Sequence, residues 1–357
     1  MRPGEIAMRR AGRWVLATAL LAVWRAGAAE PELGRLDFPN SGATAAQEAF
    51  ATGVLLLHSF EYDDAAAAFR EAQAIDPGFA LAYWGEAMTE NHAIWVEQDL
   101  DGGRAALGKL AASSEERRAK APTERERGYL EAVEALYGEG TKEARDRAYA
   151  AAMERLAAAY PEDLEARAFH ALAILGTAQG ARDFATYMRA AAVAEEVFAA
   201  NPQHPGAAHY LIHAYDDPIH APLGLRAARV YAAIAPAATH AQHMISHIFL
   251  ALGDWTGNVA ANEKALAVSE ERLRRLGLPQ HDRSHHSLAW LAYGYLQQGR
   301  WAAARERLAT MGADLEAAPG VPNHQWYYAH MRAAWLVETQ RWAEAPRRGP
   351  FDRATVT

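Results

Sequence analysis

The sequence contains no cysteine among its 357 residues. This absence excludes disulfides, thiolate metal sites and cysteine nucleophiles. The sequence also lacks a glycine-rich phosphate-binding loop and a Gly-x-Ser-x-Gly nucleophile elbow. Any chemistry therefore depends on histidine, carboxylate, tyrosine or arginine side chains.

Long hydrophobic runs are also scarce, and the one that stands out lies at the N-terminus. Four arginines among the first 13 residues precede the apolar run "WVLATALLAV", and "RAGAAE" follows it with small residues at the spacing of a cleavage site. This pattern predicts a signal peptide over residues 1–28, cut near Ala28. No second long apolar run follows, so we expect no transmembrane segment after signal removal. A periplasmic or secreted protein is the corresponding prediction, with an uncleaved N-terminal anchor as the alternative.

The acidic charge balance argues against nucleic acid as a partner. The formal net charge is -8, and removal of residues 1–28, with five arginines and one glutamate, lowers it by four to -12. A surface of this sign repels phosphate backbones, so we expect no nucleic-acid partner. Abundant alanine favours helix over strand.

Short helix-pair patterns recur along the chain. In "GVLLLHSFEYDDAAAAFREAQAIDP", residues 53–77, apolar residues recur at spacings of three and four and the pattern ends at a proline. Two later units share a glycine followed two residues on by tryptophan, at Gly253 and Trp255 and again at Gly299 and Trp301. In a last unit, Trp342 occupies the corresponding place.

These units resemble the tetratricopeptide-repeat (TPR) family, in which each repeat is a pair of helices. The chain also resembles a group of exported bacterial repeat proteins, through phrases such as "AYWGEAMTENHAIW" and "HPGAAHYLIHAYDDP"; this narrower group implies no activity. The resemblance implies an all-α, tetratricopeptide-like helix-pair solenoid, a right-handed superhelix of about seven helix pairs. The predicted organisation is a signal peptide (1–28), an extended segment (29–44), the repeat domain (45–345) and an irregular tail (346–357).

Histidines are concentrated in one part of the chain. Ten of the fifteen lie between residues 204 and 286. In "HAQHMISHIF", helical geometry places His240, His243 and His247 within an arc of roughly 60°. In the TPR family the corresponding positions line the concave inner surface, so we expect a row of imidazoles there.

One interpretation of this row is a metal site. Aligning "HYLIHAY" with "HMISHIF" superposes two histidines from each of two neighbouring helices, which predicts a metal-binding quartet, His209, His213, His243 and His247. Imidazole ligands suit Zn or Cu, the metals we expect here. Asp216, Asp217 and Glu97 are candidate carboxylates for a ligand or for a partner that orients a histidine.

The other interpretation is a groove that binds a peptide, a partner protein or a small ligand. Its candidate residues share inner repeat positions or a polar helix end; they are His58, Trp84, Asn91, His92, Glu97, Tyr210, His240, His286 and His330. For many of these residues, packing between helices is the alternative role, and "MTENHAIWVEQD" also fits a solvated connection.

Two functions therefore remain open. The first is an exported scaffold that binds its partner in a groove lined by histidine and aromatic side chains. The second is a metal-binding protein or a metal-dependent enzyme, a hydrolase or an oxidase, that uses the same histidine cluster. No single residue of the sequence is placed as an obvious catalytic base.

Overall fold

The computed structural model describes residues 33–345, apart from 179 and 181. This part of the chain forms sixteen α-helices. They are α1 (Gln47–His58), α2 (Tyr62–Ile75), α3 (Ala80–Thr89), α4 (Leu100–Leu110), α5 (Ser114–Lys120), α6 (Glu124–Leu136), α7 (Lys142–Ala159), α8 (Leu164–Gly176), α9 (Phe184–Ala200), α10 (Pro205–Tyr215), α11 (Ala221–Ile234), α12 (Thr239–Ala251), α13 (Trp255–Leu276), α14 (His285–Gln297), α15 (Trp301–Ala317) and α16 (Pro322–Thr339).

Fourteen of these helices pack as seven consecutive pairs: α1–α2, α3–α4, α6–α7, α8–α9, α10–α11, α12–α13 and α14–α15. The first helices of successive pairs also contact one another, as α10 contacts both α8 and α12. The short helix α5 and the last helix α16 stand outside the pairs. The predicted all-α, tetratricopeptide-like solenoid of about seven helix pairs is confirmed.

The Gly-x-Trp units mark the turn inside a helix pair. Gly253 and Gly299 both have positive φ angles, 73° and 68°, which a residue without a Cβ adopts readily. Trp255 and Trp301 are then the first residues of α13 and α15. In the last unit the left-handed position is taken by Gln340, with φ of 56°, and a 3₁₀ helix, Trp342–Glu344, follows.

The hydrophilic segment 110–132 contains more helix than its charge pattern indicates. Helix α5 lies within it, and Ser113 and Glu116 form a capping box at its start. Thr123 is the N-cap of α6, and its hydroxyl accepts a hydrogen bond from the Glu126 backbone N–H.

A single β-strand pair interrupts the helices in the described part of the chain. Strands β1 (Asn91–His92) and β2 (Glu97–Gln98) are antiparallel and enclose a 3₁₀ helix, Ala93–Trp95. The 3₁₀ helix packs on α8. Residues 91–98 therefore form a small hairpin that folds onto the solenoid.

The solenoid also makes a long-range contact with itself. Helix α1 packs against α10, four pairs later in the chain, and all eleven residues of α10 are buried. Gly206 permits this approach, because a Cβ there would lie 2.3 Å from Nδ1 of His58. The inner side of this part of the solenoid is therefore filled by protein.

The predicted signal peptide and the predicted tail, residues 346–357, lie outside the described residues, and both stay predictions. Residues 33–43 contain no helix or strand. None of the described helices has both the length and the apolar character that a membrane span requires.

Candidate metal centre

Six histidines from three helices form two groups in the interior. In each group, one ring nitrogen from every member lies within 4.8 Å of the others. Site A is His243 and His247 of α12 with His286 of α14, and site B is His209 and His213 of α10 with His240 of α12.

The predicted quartet is thus divided between two adjoining sites. His243 and His247 belong to site A, and His209 and His213 belong to site B. The rings of His213 and His247 are 6.2 Å apart, centroid to centroid, so the two sites are neighbours. A third histidine joins each predicted pair, His286 at site A and His240 at site B. From the sequence, both of these residues are predicted to lie in the ligand groove.

Hydrogen bonds fix the tautomers of two site A rings. Nδ1 of His243 lies 2.7 Å from Oδ1 of Asn262, whose own Nδ2 donates to the Asn258 carbonyl. Nδ1 of His247 lies 2.7 Å from the Asp216 carboxylate. Since both partners are acceptors, both Nδ1 atoms carry the hydrogen, and each Nε2 presents a lone pair.

These two lone pairs face each other. The Nε2 atoms of His243 and His247 are 3.0 Å apart. Two acceptors at this distance repel one another unless a cation lies between them. Burial and the neighbouring histidines hold the pKa of His243 well below its usual range, so this ring favours its neutral form.

His286 provides the third ring of site A. The ring centroids of His286 and His243 are 4.4 Å apart, and the Tyr327 hydroxyl lies 3.3 Å from Nδ1 of His286. Burial, with His247 close by, lowers the pKa of His286 to about 4. The ring is therefore neutral near pH 7, the form in which imidazole binds a metal.

A third group, His58, Glu165 and His204, has a different character. His58 donates from Nε2 to Glu165 at 2.7 Å and accepts at Nδ1 from the Tyr210 hydroxyl at 2.8 Å. His204 accepts at Nδ1 from the Ala207 backbone N–H, which leaves its Nε2–H facing Glu165 at 3.1 Å. Nε2 of His204 and Oε1 of Glu165 are both buried and form no hydrogen bond, although they lie 3.1 Å apart. Unlike sites A and B, this group contains a carboxylate.

Three of the predicted groove residues are fully buried: His58, Trp84 and Tyr210. Trp84 packs edge-on against Tyr129 and Phe169, with both centroid distances 5.2 Å. These side chains hold helices together and do not line an open surface in the structure.

The other predicted groove residues are dispersed. Asn91 lies on the hairpin, where its Oδ1 accepts from Gln98 at 3.2 Å. His92 stacks on Tyr62 with 4.1 Å between centroids. His330 is exposed on α16 and stacks on a tryptophan.

The candidate carboxylates have separate partners. Asp216 orients His247, as described above. Asp217 bonds to His220 at 2.9 Å and to Arg182 at 3.1 Å. Glu97 lies 3.4 Å from His92 on the exposed hairpin.

A cleft of about 230 Å³ reaches both sites from the surface. Its lining includes His243 and His286 of site A, His240 of site B, and polar groups at the ends of α12 and α14. A ligand in this cleft would contact site A directly.

Sequence reasoning did not identify three important neighbours of these sites. They are Asn262, Phe60 and Trp290, whose ring lies 4.3 Å from that of His247. Each belongs to an element other than α10 or α12, so local spacing carried no signal for it. For Asn262 the sequence contains one weak indication, an amide within the apolar stripe of a helix. A buried amide at such a position needs a polar partner.

The sequence matches no protein-family model and no curated protein. Among solved structures, the chain is similar to a thermophilic TPR protein from Thermus thermophilus, with 20% identity over 53% of this chain and 91% of that chain and a TM-score of 0.39. It is also similar to yeast Tom70, with 12% identity over 92% of this chain and 73% of that chain and a TM-score of 0.40. These likenesses are weak, and the seven helix pairs themselves establish the tetratricopeptide-like fold.

Proposed function

We propose that this helical repeat protein binds a transition-metal ion, Zn or Cu, at site A. The proposal rests on the distance of 3.0 Å between Nε2 of His243 and Nε2 of His247, each of which presents a lone pair. In a tetrahedral zinc site, two imidazole nitrogens about 2.0–2.1 Å from the ion lie about 3.3–3.4 Å apart, a few tenths of an ångström more than the distance observed here. An ion at this position would turn the repulsion into two coordinate bonds.

The partners of the ligands also favour a metal. Histidines that bind metals commonly donate their second N–H to a carboxylate or another acceptor, which fixes the ring. Asp216 does this for His247, and the amide oxygen of Asn262 does it for His243. The ring orientations therefore exist before an ion arrives.

Three protein ligands leave a coordination position for water or a small ligand. Structural zinc sites commonly have four protein ligands, whereas catalytic sites have three and keep the last position open. Because the cleft contacts His243 and His286, this position would be reached from solvent. A metal-dependent hydrolase or oxidase is thus the second candidate function.

The helix-pair scaffold also supports a protein-interaction role, since solenoids of stacked helices present extended surfaces. The exposed aromatic side chains of α16 and of the C-terminal turn are available to a partner. The buried histidines are better explained by a metal than by a peptide groove. The arginine-rich, apolar N-terminus supports export, and with export the proposed metal site would lie in the periplasm or outside the cell.

Zinc binding tests the proposal directly. Untagged protein is stripped with a chelator and titrated with Zn in competition with a chromophoric chelator. We expect one tight equivalent in the natural protein and none in the His243→Ala/His247→Ala variant, because that variant removes both facing nitrogens. His330→Ala, exposed on α16, is the matched control and should keep the equivalent.

Two outcomes contradict the proposal. One is the absence of a tight equivalent in a natural protein that circular dichroism shows to be folded. The other is an equivalent that survives in the double variant. His286→Ala serves as a second variant if the double variant does not fold, and it should weaken binding at least tenfold.

A further inference from the structure

Site B contains a buried ring nitrogen without a hydrogen-bond partner. Nδ1 of His209 donates to the His58 carbonyl at 2.7 Å, so Nε2 of His209 presents a lone pair. That atom accepts a hydrogen bond from Nε2 of His213 at 3.1 Å. Nε2 of His240 is buried and has no hydrogen-bond partner. A buried imidazole nitrogen without a partner is costly unless something binds it.

Aromatic rings cover one side of site B. The centroid of the Phe60 ring lies 4.3 Å from that of His209, 5.7 Å from that of His213 and 5.5 Å from that of His240. Trp95 of the hairpin stands edge-on to His240 at 5.9 Å. These rings form an apolar cover on one side of the site, and Phe60 and His240 also line the cleft.

Backbone strain accompanies this cover. Phe60 has φ of 55° and Val96, next to Trp95, has φ of 58°. The left-handed region is unfavourable for a bulky or β-branched residue. Packing elsewhere must hold both segments in place, and such strain tends to occur where a ligand is held.

The charge around site B differs from that around site A. Within the described residues, no carboxylate accepts a hydrogen bond from the three site B rings, whereas Asp216 bonds to a site A ring. Glu61 lies nearby, but it accepts from the His240 backbone N–H at 2.9 Å. Because the cost of desolvating an ion rises with the square of its charge, a monovalent ion is less costly to bury here than a divalent one.

We propose that site B is a second, separate metal site, formed by His209, His213 and His240, and that it takes Cu(I) in preference to Zn. Three imidazoles provide the nitrogen ligands that copper accepts. The proposal goes beyond site A and does not depend on it.

An anaerobic titration with Cu(I) tests this proposal. Stripped protein is first given one equivalent of Zn and then titrated with Cu(I) against a chromophoric Cu(I) chelator, and both metals are quantified in the same samples. We expect one equivalent of Cu(I) in the natural protein, a loss of at least tenfold in affinity in His240→Ala and in His213→Asn, and no loss in the control His330→Ala. The X-ray absorption edge of the loaded protein should show Cu(I) bound by nitrogen.

Three results would overturn the proposal: the absence of a Cu(I) equivalent, a Cu(I) equivalent that survives in both folded variants, and a second Zn equivalent that displaces Cu(I). Failure of the site A proposal is distinguished from these results, because the natural protein would then not bind the first equivalent of Zn. Melting curves of each variant show whether it is folded. His213→Asn keeps a polar side chain, so it provides a folded variant if His240→Ala is too damaging.

Discussion

At the scale of single residues, Asp216 controls the tautomer of His247. Its carboxylate accepts from Nδ1 and leaves Nε2 free. We predict that Asp216→Asn weakens Zn binding by about 10–100-fold, because an amide can donate to Nδ1 and force the hydrogen onto Nε2. Chelator competition measures the change.

The neighbouring residue provides a control for this prediction. Asp217 has a different set of partners, His220 and Arg182. Asp217→Asn should lower the melting temperature but change the Zn affinity by less than about threefold, within the usual effect of a substitution without contact to the ligands. Equal losses of affinity in the two variants would show that Asp216 does not orient a ligand.

At the scale of helices, the contact between α1 and α10 depends on a glycine. A Cβ on Gly206 would lie 2.3 Å from Nδ1 of His58, which is fully buried and hydrogen-bonded to Glu165. We predict that Gly206→Ala destabilises the protein by about 2–4 kcal/mol, because it breaks this network or separates the helices. Denaturant unfolding measures the loss.

Gly108 is the matched control. It lies inside α4, where an added Cβ would meet no atom within 4 Å. Gly108→Ala should stabilise the protein by about 0.5–1 kcal/mol, because alanine loses less conformational freedom in a helix. Stabilisation by both substitutions would mean that α1 and α10 are not in close contact.

The sequence predicted where the helices lie better than it predicted which helices pack against one another. Proline and Gly-x-Trp spacing located the pairs, since these signals act within a few residues. The histidine pairs at spacing four were also correctly placed on shared faces. The third histidine of each site could not be predicted from the sequence. His240 of α12 lies beside the α10 histidines, and His286 comes from α14, so both positions depend on how the helices pack.

The burial of α10 was equally hidden in the sequence. A regular repeat predicts an open inner surface, and Tyr210 was assigned to it. The structure fills that surface with α1, from the first pair, through contacts such as His58 with Tyr210, separated by 152 residues. No periodic pattern encodes a contact over that distance.

At the scale of the whole molecule, the buried histidines make stability depend on pH. Burial lowers the pKa of His209 to about 3 and that of His286 to about 4. In the unfolded chain these rings titrate near about 6.5, so below that pH the unfolded state binds more protons than the folded state. Stability is therefore lost as pH falls from about 6.5 toward the folded pKa values.

We predict that the metal-free protein loses up to about 1.4 kcal/mol per pH unit for each of these two residues over this window. Denaturant midpoints between pH 7 and pH 5 measure the loss. The His286→Ala variant should show a shallower slope. A flat profile in the natural protein would contradict the burial of neutral histidines.

Anomalous diffraction from crystals of Zn-loaded protein, with data collected on both sides of the Zn absorption edge, tests the central claim most directly. A metal at site A predicts one strong peak between Nε2 of His243 and Nε2 of His247, with His286 beside it. Such a peak would place the ion where the two lone pairs meet. A folded, Zn-soaked crystal with no peak at that position, or with peaks only at surface carboxylates, would contradict it.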